Sequence, residues 1–250
     1  MWRVEHHDVV DSTMTTARDL PAWSAVVADV QTAGRGQAER TFVSDRGGVY
    51  LTAVLPYGDD PLASRGFALA VGWAMHSALT ARGVRGLRLK WPNDLMIGAR
   101  KVGGILTEQG ARNTLLVGVG VNLSNRPWEI ARELAGVAGS LNEEWSAAAK
   151  PLERDEGVTL VLDAIARAHE VFARVRLAGL AHRLNACWGG LREVELDLAT
   201  HAAGARGAQD ATCARGIFLG IDADGALQLL TSEGESLVVA AHRVERLREV

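Results

Sequence analysis

Residues 90–108 read Lys-Trp-Pro-Asn-Asp-Leu-Met-Ile-Gly-Ala-Arg-Lys-Val-Gly-Gly-Ile-Leu-Thr-Glu. Residues 87–91, 95–97 and 101–108 alternate as short strands, and Gly98-Ala99-Arg100 is a tight turn that places Lys101 at the start of its strand. The segment therefore reads as a sheet element. It also sets a cation, a carboxylate and a second cation close together. Asp94 is a hard oxygen ligand of the kind that holds Mg2+ on a nucleotide, and Lys90 and Lys101 are placed to neutralise phosphate charge. The Gly103-Gly104 pair leaves room beside Lys101. A surface hairpin with solvated charges and a core tryptophan would have the same composition.

Toward the N-terminus, residues 2–10 read as a strand and Asp11-Ser12-Thr13 as helix-capping side chains. A second strand covers 25–31. Residues 32–48 are rich in Gly, Arg and polar residues, and 49–55 return to a strand pattern. Long loops of this kind in compact domains tend to be lids or binding loops. This one opens with Gln31-Thr32-Ala33-Gly34-Arg35-Gly36, whose glycines let backbone approach an anion while Arg35 offers a planar fork to a carboxylate or phosphate. A surface turn with a solvated arginine produces the same triplet. Residues 61–82 have helical period and end before Gly83.

Toward the C-terminus, residues 115–122 form a further strand. Gly118-Val119-Gly120-Val121-Asn122 lacks the third glycine and following helix of a dinucleotide fingerprint. Residues 153–176 are an amphipathic helix whose partner runs to 188. From 191 onward short strands alternate with polar turns, and Asp224-Gly225 marks a hairpin between 217–221 and 227–230. A calcium loop there lacks its later oxygen ligands. The fold expected is α+β: a mixed-sheet domain over 1–189 and a small β-barrel over 190–250.

Several function classes are disfavoured. A net charge of −3 gives no basic footprint for nucleic acid. Residues 1–12 lack a secretory pattern, and the longest apolar stretch, 67–81, is too short for a bilayer. Cys187 and Cys213 lack partners at metal-ligand spacing and read as isolated thiols of a reducing, cytoplasmic compartment. No phosphate loop and no serine or cysteine nucleophile signature occurs. The only lysines are Lys90, Lys101 and Lys150, two of them in the decisive segment of an otherwise arginine-rich chain. An ammonium kept there suits a compact, flexible point charge.

In this order and spacing, Asp11-Ser12-Thr13, Gly34-Arg35-Gly36, residues 90–108 and 118–122, and the terminal strands resemble biotin protein ligases. The Lys-Trp-Pro-Asn-Asp run with its downstream lysine carries most of the likeness. The resemblance implies a biotin/lipoate ligase-type catalytic domain with an SH3-like barrel, and ATP-dependent ligation of biotin, through biotinyl-AMP, to a lysine of a biotin carboxyl carrier domain. By it, Ser12, Thr13, Gln31, Gly34, Arg35, Gly36, Gln37, Lys101 and Gly103 belong to the biotin site. Lys101 would touch the biotin carboxylate and the α-phosphate, with Arg35 and Asp94 as further catalytic groups. Lys90, Asn93, Asp94 and Asn122 would serve the nucleotide, Asp94 would hold Mg2+, and Arg40 would fold over the adenylate.

The family's loop pattern is broken at Gln37, Glu39 and Phe42, which weakens the positive field and stiffens the loop. Met14 stands where asparagine is common. The chain begins at the catalytic core, so a repressor role is not expected, and a homodimer through a sheet edge is left open. The rival readings are a lipoate or other acyl ligase on the same fold, against which the absence of an Arg-Arg pair speaks, and a non-catalytic biotin-binding paralogue.

Overall fold

The structure is a computed structural model that describes residues 1–37, 40–57, 66–144, 150–199 and 213–250. The chain divides into two units, Met1–Arg174 and Val175–Val250.

In the first unit the β-branched and alternating stretches become seven strands: β1 (Arg3–Val10), β2 (Ser24–Gln31), β3 (Val49–Pro56), β4 (Leu87–Lys90), β5 (Asp94–Ile97), β6 (Arg100–Gln109) and β7 (Thr114–Val121). They form one sheet in the order β1-β2-β3-β7-β6-β5-β4. Only β1 and β2 run parallel; the other neighbours are antiparallel. A parallel pair needs a crossover. Here it contains α1 (Thr13–Thr16), whose first turn is capped by Ser12 Oγ accepting from Met14 N.

Side chains on a strand alternate between faces, so the register decides what each face carries. One face lies under α2 (Phe67–Ala81), where Gly72 lets the helix come close: a Cβ there would stand 3.2 Å from Leu89 and 3.7 Å from Ile105. Residues 61–65, read as the start of this helix, lie outside the described residues. Phe67 of α2 meets Phe172 of α5 (Arg154–Asn185) edge-on, with ring centroids 5.3 Å apart. Leu51, Ile105 and Leu95 are each at most 1% exposed. Burying a side chain of that size contributes about 1.5–3 kcal/mol, which fixes this face as the core.

The opposite face is different. Gly104 pairs with Gly120 and Gly120 with Tyr50, while Leu106 pairs with Gly118 and Gly118 with Thr52. Three glycines thus leave a strip of bare backbone in the middle of the sheet. At one end of it, Met14, Ala17, Val26, Val54 and Leu116 form a small apolar cluster under α1. Segments from α3 (Pro127–Ile130) to α4 (Leu141–Glu144) return to the start of β6, where Lys101 N donates to Val137 O at 2.8 Å.

In the second unit, β8 (Arg192–Leu198), β9 (Cys213–Ile221), β10 (Leu227–Leu230), β11 (Ser236–Val239) and β12 (Val244–Glu249) make an antiparallel sheet in the order β11-β10-β9-β8-β12. Among the described residues this ladder is open between β11 and β12. The Asp224-Gly225 hairpin read from sequence joins β9 to β10, with Gly225 at φ 81°. The division between the units falls inside α5, near Arg176 with its non-helical φ of 53°. The cause is local: Asn185, in the last turn, donates to Ile221 O at 2.9 Å and accepts from Ile221 N at 3.0 Å.

Among the described residues no helix is long and apolar enough to cross a membrane. Cys187 and Cys213 are both free, and burial pushes the Cys187 thiol up to about 11.

Candidate active site

The glycine strip floors a cavity of about 250 Å³. Of the residues singled out in sequence, Ser12, Thr13, Gln31, Arg35, Gly36, Gln37, Arg40, Asn93, Lys101 and Asn122 line it. They come from six separate stretches of chain. The remaining four, Gly34, Lys90, Asp94 and Gly103, stand behind its wall or beside it.

The floor is bare for a reason. A Cβ at Gly118 would stand 2.7 Å from Met14 Sδ, and one at Gly120 would stand 2.7 Å from the Phe42 ring. Met14 and Phe42, two of the positions at which the chain departs from the pattern it resembles, therefore lie directly on the strip. Glu39, another departure, lies outside the described residues. Of the paired glycines, it is Gly104 that clears Lys101, with a Cβ there 3.2 Å from Nζ. Gly103 faces the other way: its Cβ would stand 2.9 Å from Gly120 O and 3.4 Å from Leu95, so within the pair it is Gly104 that leaves room beside Lys101.

At the cationic end, Lys101 Nζ stands 2.6 Å from Asp94 Oδ1 and 5.9 Å from the centre of the Phe42 ring. Asp94 sits opposite Lys90 on β4 and opposite Gly104 on β6. Directly paired strand residues share a face, so Lys90 and Asp94 stand on one side of the β4–β5 hairpin. Asn93 Nδ2 donates to Ile105 O at 2.6 Å and Ile105 N returns to Asn93 O at 3.0 Å, which pins the β4–β5 turn to β6. Asn122 is 4% exposed; its amide donates to Gly139 O at 3.1 Å and accepts from Asn125 at 3.3 Å.

Farther along the floor the polar groups are neutral and buried. Thr52 Oγ1 donates to Thr13 Oγ1 at 2.8 Å, Thr13 Oγ1 to Gln31 Oε1 at 3.1 Å, and Gln31 Nε2 to Ser44 Oγ at 2.9 Å. Ser44 Oγ then donates to Phe42 O at 2.9 Å. Every hydroxyl and the amide has a partner, as buried polar groups require. Thr52 and Ser44 carried no sequence signal; only the register of β3 and the return of the loop bring them here.

The loop closes on itself as a small hairpin, with Gly36 N donating to Arg40 O at 2.7 Å and Phe42 N to Gly34 O at 2.8 Å. Gly34 is required by that approach, since a Cβ there would collide with Phe42 O and stand 2.6 Å from Ser44 Oγ. Arg35 is held by Glu108, with Nη2 at 2.7 Å from Oε1 and Nη1 at 3.2 Å from Oε2. Arg35 and Lys101 do not share a carboxylate. Each is bound to its own internal carboxylate, and Glu108 lies four residues beyond Gly104 on β6, about 13 Å at the strand rise. Arg40 Nε donates to Gln37 O at 3.1 Å, and among the described residues no carboxylate pairs with it.

The biotin/lipoate A/B protein ligase family matches residues 7–123. The bifunctional ligase/repressor BirA of Bacillus subtilis is 30% identical over 94% of this chain and 72% of its own. The chain belongs to the biotin protein ligase family. A biotin–[acetyl-CoA-carboxylase] ligase of Paracoccus denitrificans is 30% identical to this ligase over 88% of each chain. Biotin protein ligase from Aquifex aeolicus, solved in complex with biotin and ATP, matches with a TM-score of 0.80 at 27% identity, over 99% of both chains. The ligase fold is therefore followed throughout, in the mixed sheet and in the C-terminal antiparallel sheet alike.

Among the described residues the ligase has no group of three or more His, Cys, Asp or Glu side chains that could hold a metal. Asp94 offers carboxylate oxygens beside the cavity, one of them on Lys101. That donor set fits a magnesium ion that arrives with a nucleotide and takes its other ligands from phosphate and water, and does not fit a resident ion.

Proposed function

We propose that the chain activates biotin with ATP to biotinyl-AMP and then passes the biotinyl group to a lysine of a biotin carboxyl carrier domain. The observation that carries this reading is the polarity of the cavity. Lys101 presents a cation at one end, and the Thr13–Gln31 chain presents neutral hydrogen-bonding groups toward the other. Biotin has the matching pattern, with a carboxylate at one end and an uncharged ureido ring at the other. The names of the relatives support the same assignment.

In the first step a biotin carboxylate oxygen attacks the α-phosphorus of ATP, and pyrophosphate leaves. Two anions have to meet, so positioning and fixed positive charge supply most of the rate. Lys101, on leaving Asp94 Oδ1, bridges the biotin carboxylate and the α-phosphate. Asp94, released from that contact, would hold the magnesium, which neutralises phosphate charge; Lys90 stands on the same side of the hairpin. Arg40 folds over the adenylate and helps keep water from the mixed anhydride. In the second step an acceptor lysine amine attacks the biotinyl carbonyl, AMP leaves, and the amine loses a proton.

Biotin-dependent exchange of labelled pyrophosphate into ATP tests the first half, and ATP-dependent labelling of a carrier domain tests the second. Competition between biotin and lipoate separates the reading from an acyl ligase of other specificity. Exchange driven by lipoate and not by biotin would overturn it.

A further inference from the structure

Glu108 ends the motif that identifies the fold, yet nothing in the reaction uses it. It stands on β6 on the same face as Gly104 and Leu106, paired across the ladder with Leu116. Its side chain is 23% exposed, and both oxygens are taken. Arg35, from the loop, grips it with two nitrogens; Arg18, just beyond α1, adds a third contact at 3.2 Å to Oε2. Two-pronged guanidinium–carboxylate pairs fix orientation as well as distance. One carboxylate therefore ties two separate segments to the sheet, and both line the cavity: Ser12, Thr13 and Met14 come from one, Arg35, Gly36 and Gln37 from the other.

We infer that Glu108 is a positioning residue for biotin, acting through Arg35 to seat residues 34–37 over the glycine floor. The hairpin's own bonds, Gly36 to Arg40 and Phe42 to Gly34, fix its shape but not its place. Its place comes from Phe42 on Gly120, from Ser44 on Gln31, and from Arg35 on Glu108. The first two hold its returning strand. Thr32 N and Ala33 N, donating to Val10 O and Asp11 O, hold the start of the outgoing strand, and beyond them the third contact holds the part that carries Gly36 and Gln37. Glu108 is far from the Lys101–Asp94 end, so its loss alters how biotin is held and not how the anhydride forms. The inference rests on the proposed biotin site.

The test is Glu108→Gln, which keeps the shape and one acceptor. In biotin-dependent pyrophosphate exchange the apparent KM for biotin is expected to rise about fivefold, modest because Arg35 is 43% exposed, while kcat stays within about twofold. In an Arg35→Gln background, Glu108→Gln should raise the KM no further, since both remove the same contact. A fall in kcat with KM unchanged, an unaltered KM, or effects that multiply would each overturn the inference. A second measurement needs no substrate. Trypsin should cut after Arg35 and Arg40 of the native protein faster in Glu108→Gln than in the parent, at equal thermal midpoints, and equal cutting rates would overturn the clamp. Absence of biotin-dependent exchange in the parent protein would instead overturn the proposed function, while the trypsin result still reads the clamp.

Discussion

Lys101 Nζ stands 2.6 Å from Asp94 Oδ1 across the β5–β6 hairpin, so the cation proposed to meet the substrate anions is held by an internal carboxylate until they arrive. The same carboxylate is the one proposed to receive magnesium. A nucleotide anion and its metal would then part the pair by offering each member a stronger partner.

Asp94→Asn therefore tests two roles at once. With the charge gone, Lys101 is freer to meet biotin, but the metal loses its protein ligand. Biotin affinity without ATP should stay within about threefold, because exposed or half-exposed pairs contribute little, while the magnesium concentration for half-maximal exchange should rise about tenfold or more. Calorimetry with biotin and a magnesium titration of exchange check the two halves.

The glycines of the loop should differ sharply. Gly34→Ala puts a methyl group into backbone, at Phe42 O, which cannot move without opening the hairpin; Gly36→Ala meets Arg40 O at only 3.2 Å. Overpacking of the first kind costs about 1–3 kcal/mol, so biotin affinity should fall about tenfold or more in Gly34→Ala and less than about threefold in Gly36→Ala. Titration with biotin distinguishes them.

Thr52→Val removes the first donor of the buried chain that ends at Phe42 O. Thr13 Oγ1 then lacks its donor, a loss of about 1 kcal/mol in stability by urea unfolding. Because Thr13 and Gln31 line the cavity, biotin affinity should fall severalfold as well.

Burial holds the His76 and His169 imidazoles below their ordinary value of 6.5. The unfolded chain then binds more protons than the native one just below that value, so stability is full above about 6.5 and declines as pH drops toward the native pKa. The thermal midpoint should fall from pH 7.5 to 5.5 more steeply in the parent than in His76→Gln, which still reaches Leu87 O. Parallel curves would count against a depressed His76.

Much of this is legible in the sequence alone. Strands with period 2 and the 90–108 segment are local signals, and Lys101, Arg40, Thr13 and Gln31 are placed by them beside one cavity. What could not be read depends on register and return. Whether Gly103 or Gly104 faces Lys101 is a question of strand phase, set in part by the irregularity between Leu95 and Met96. Thr52, Ser44 and Glu108 meet the site only because β3, the loop and β6 are folded together, and no spacing in the chain announces that. Arg35 was visible as a cation; its partner was not.

The account depends most on Lys101 as the group that bridges biotin's carboxylate and the nucleotide. Biotin-dependent pyrophosphate exchange by Lys101→Ala measures that directly. Loss of one preorganised charge of this kind costs about 3–4 kcal/mol, so the rate should fall about a hundredfold or more with the fold intact. Exchange within about threefold of the parent would contradict the account.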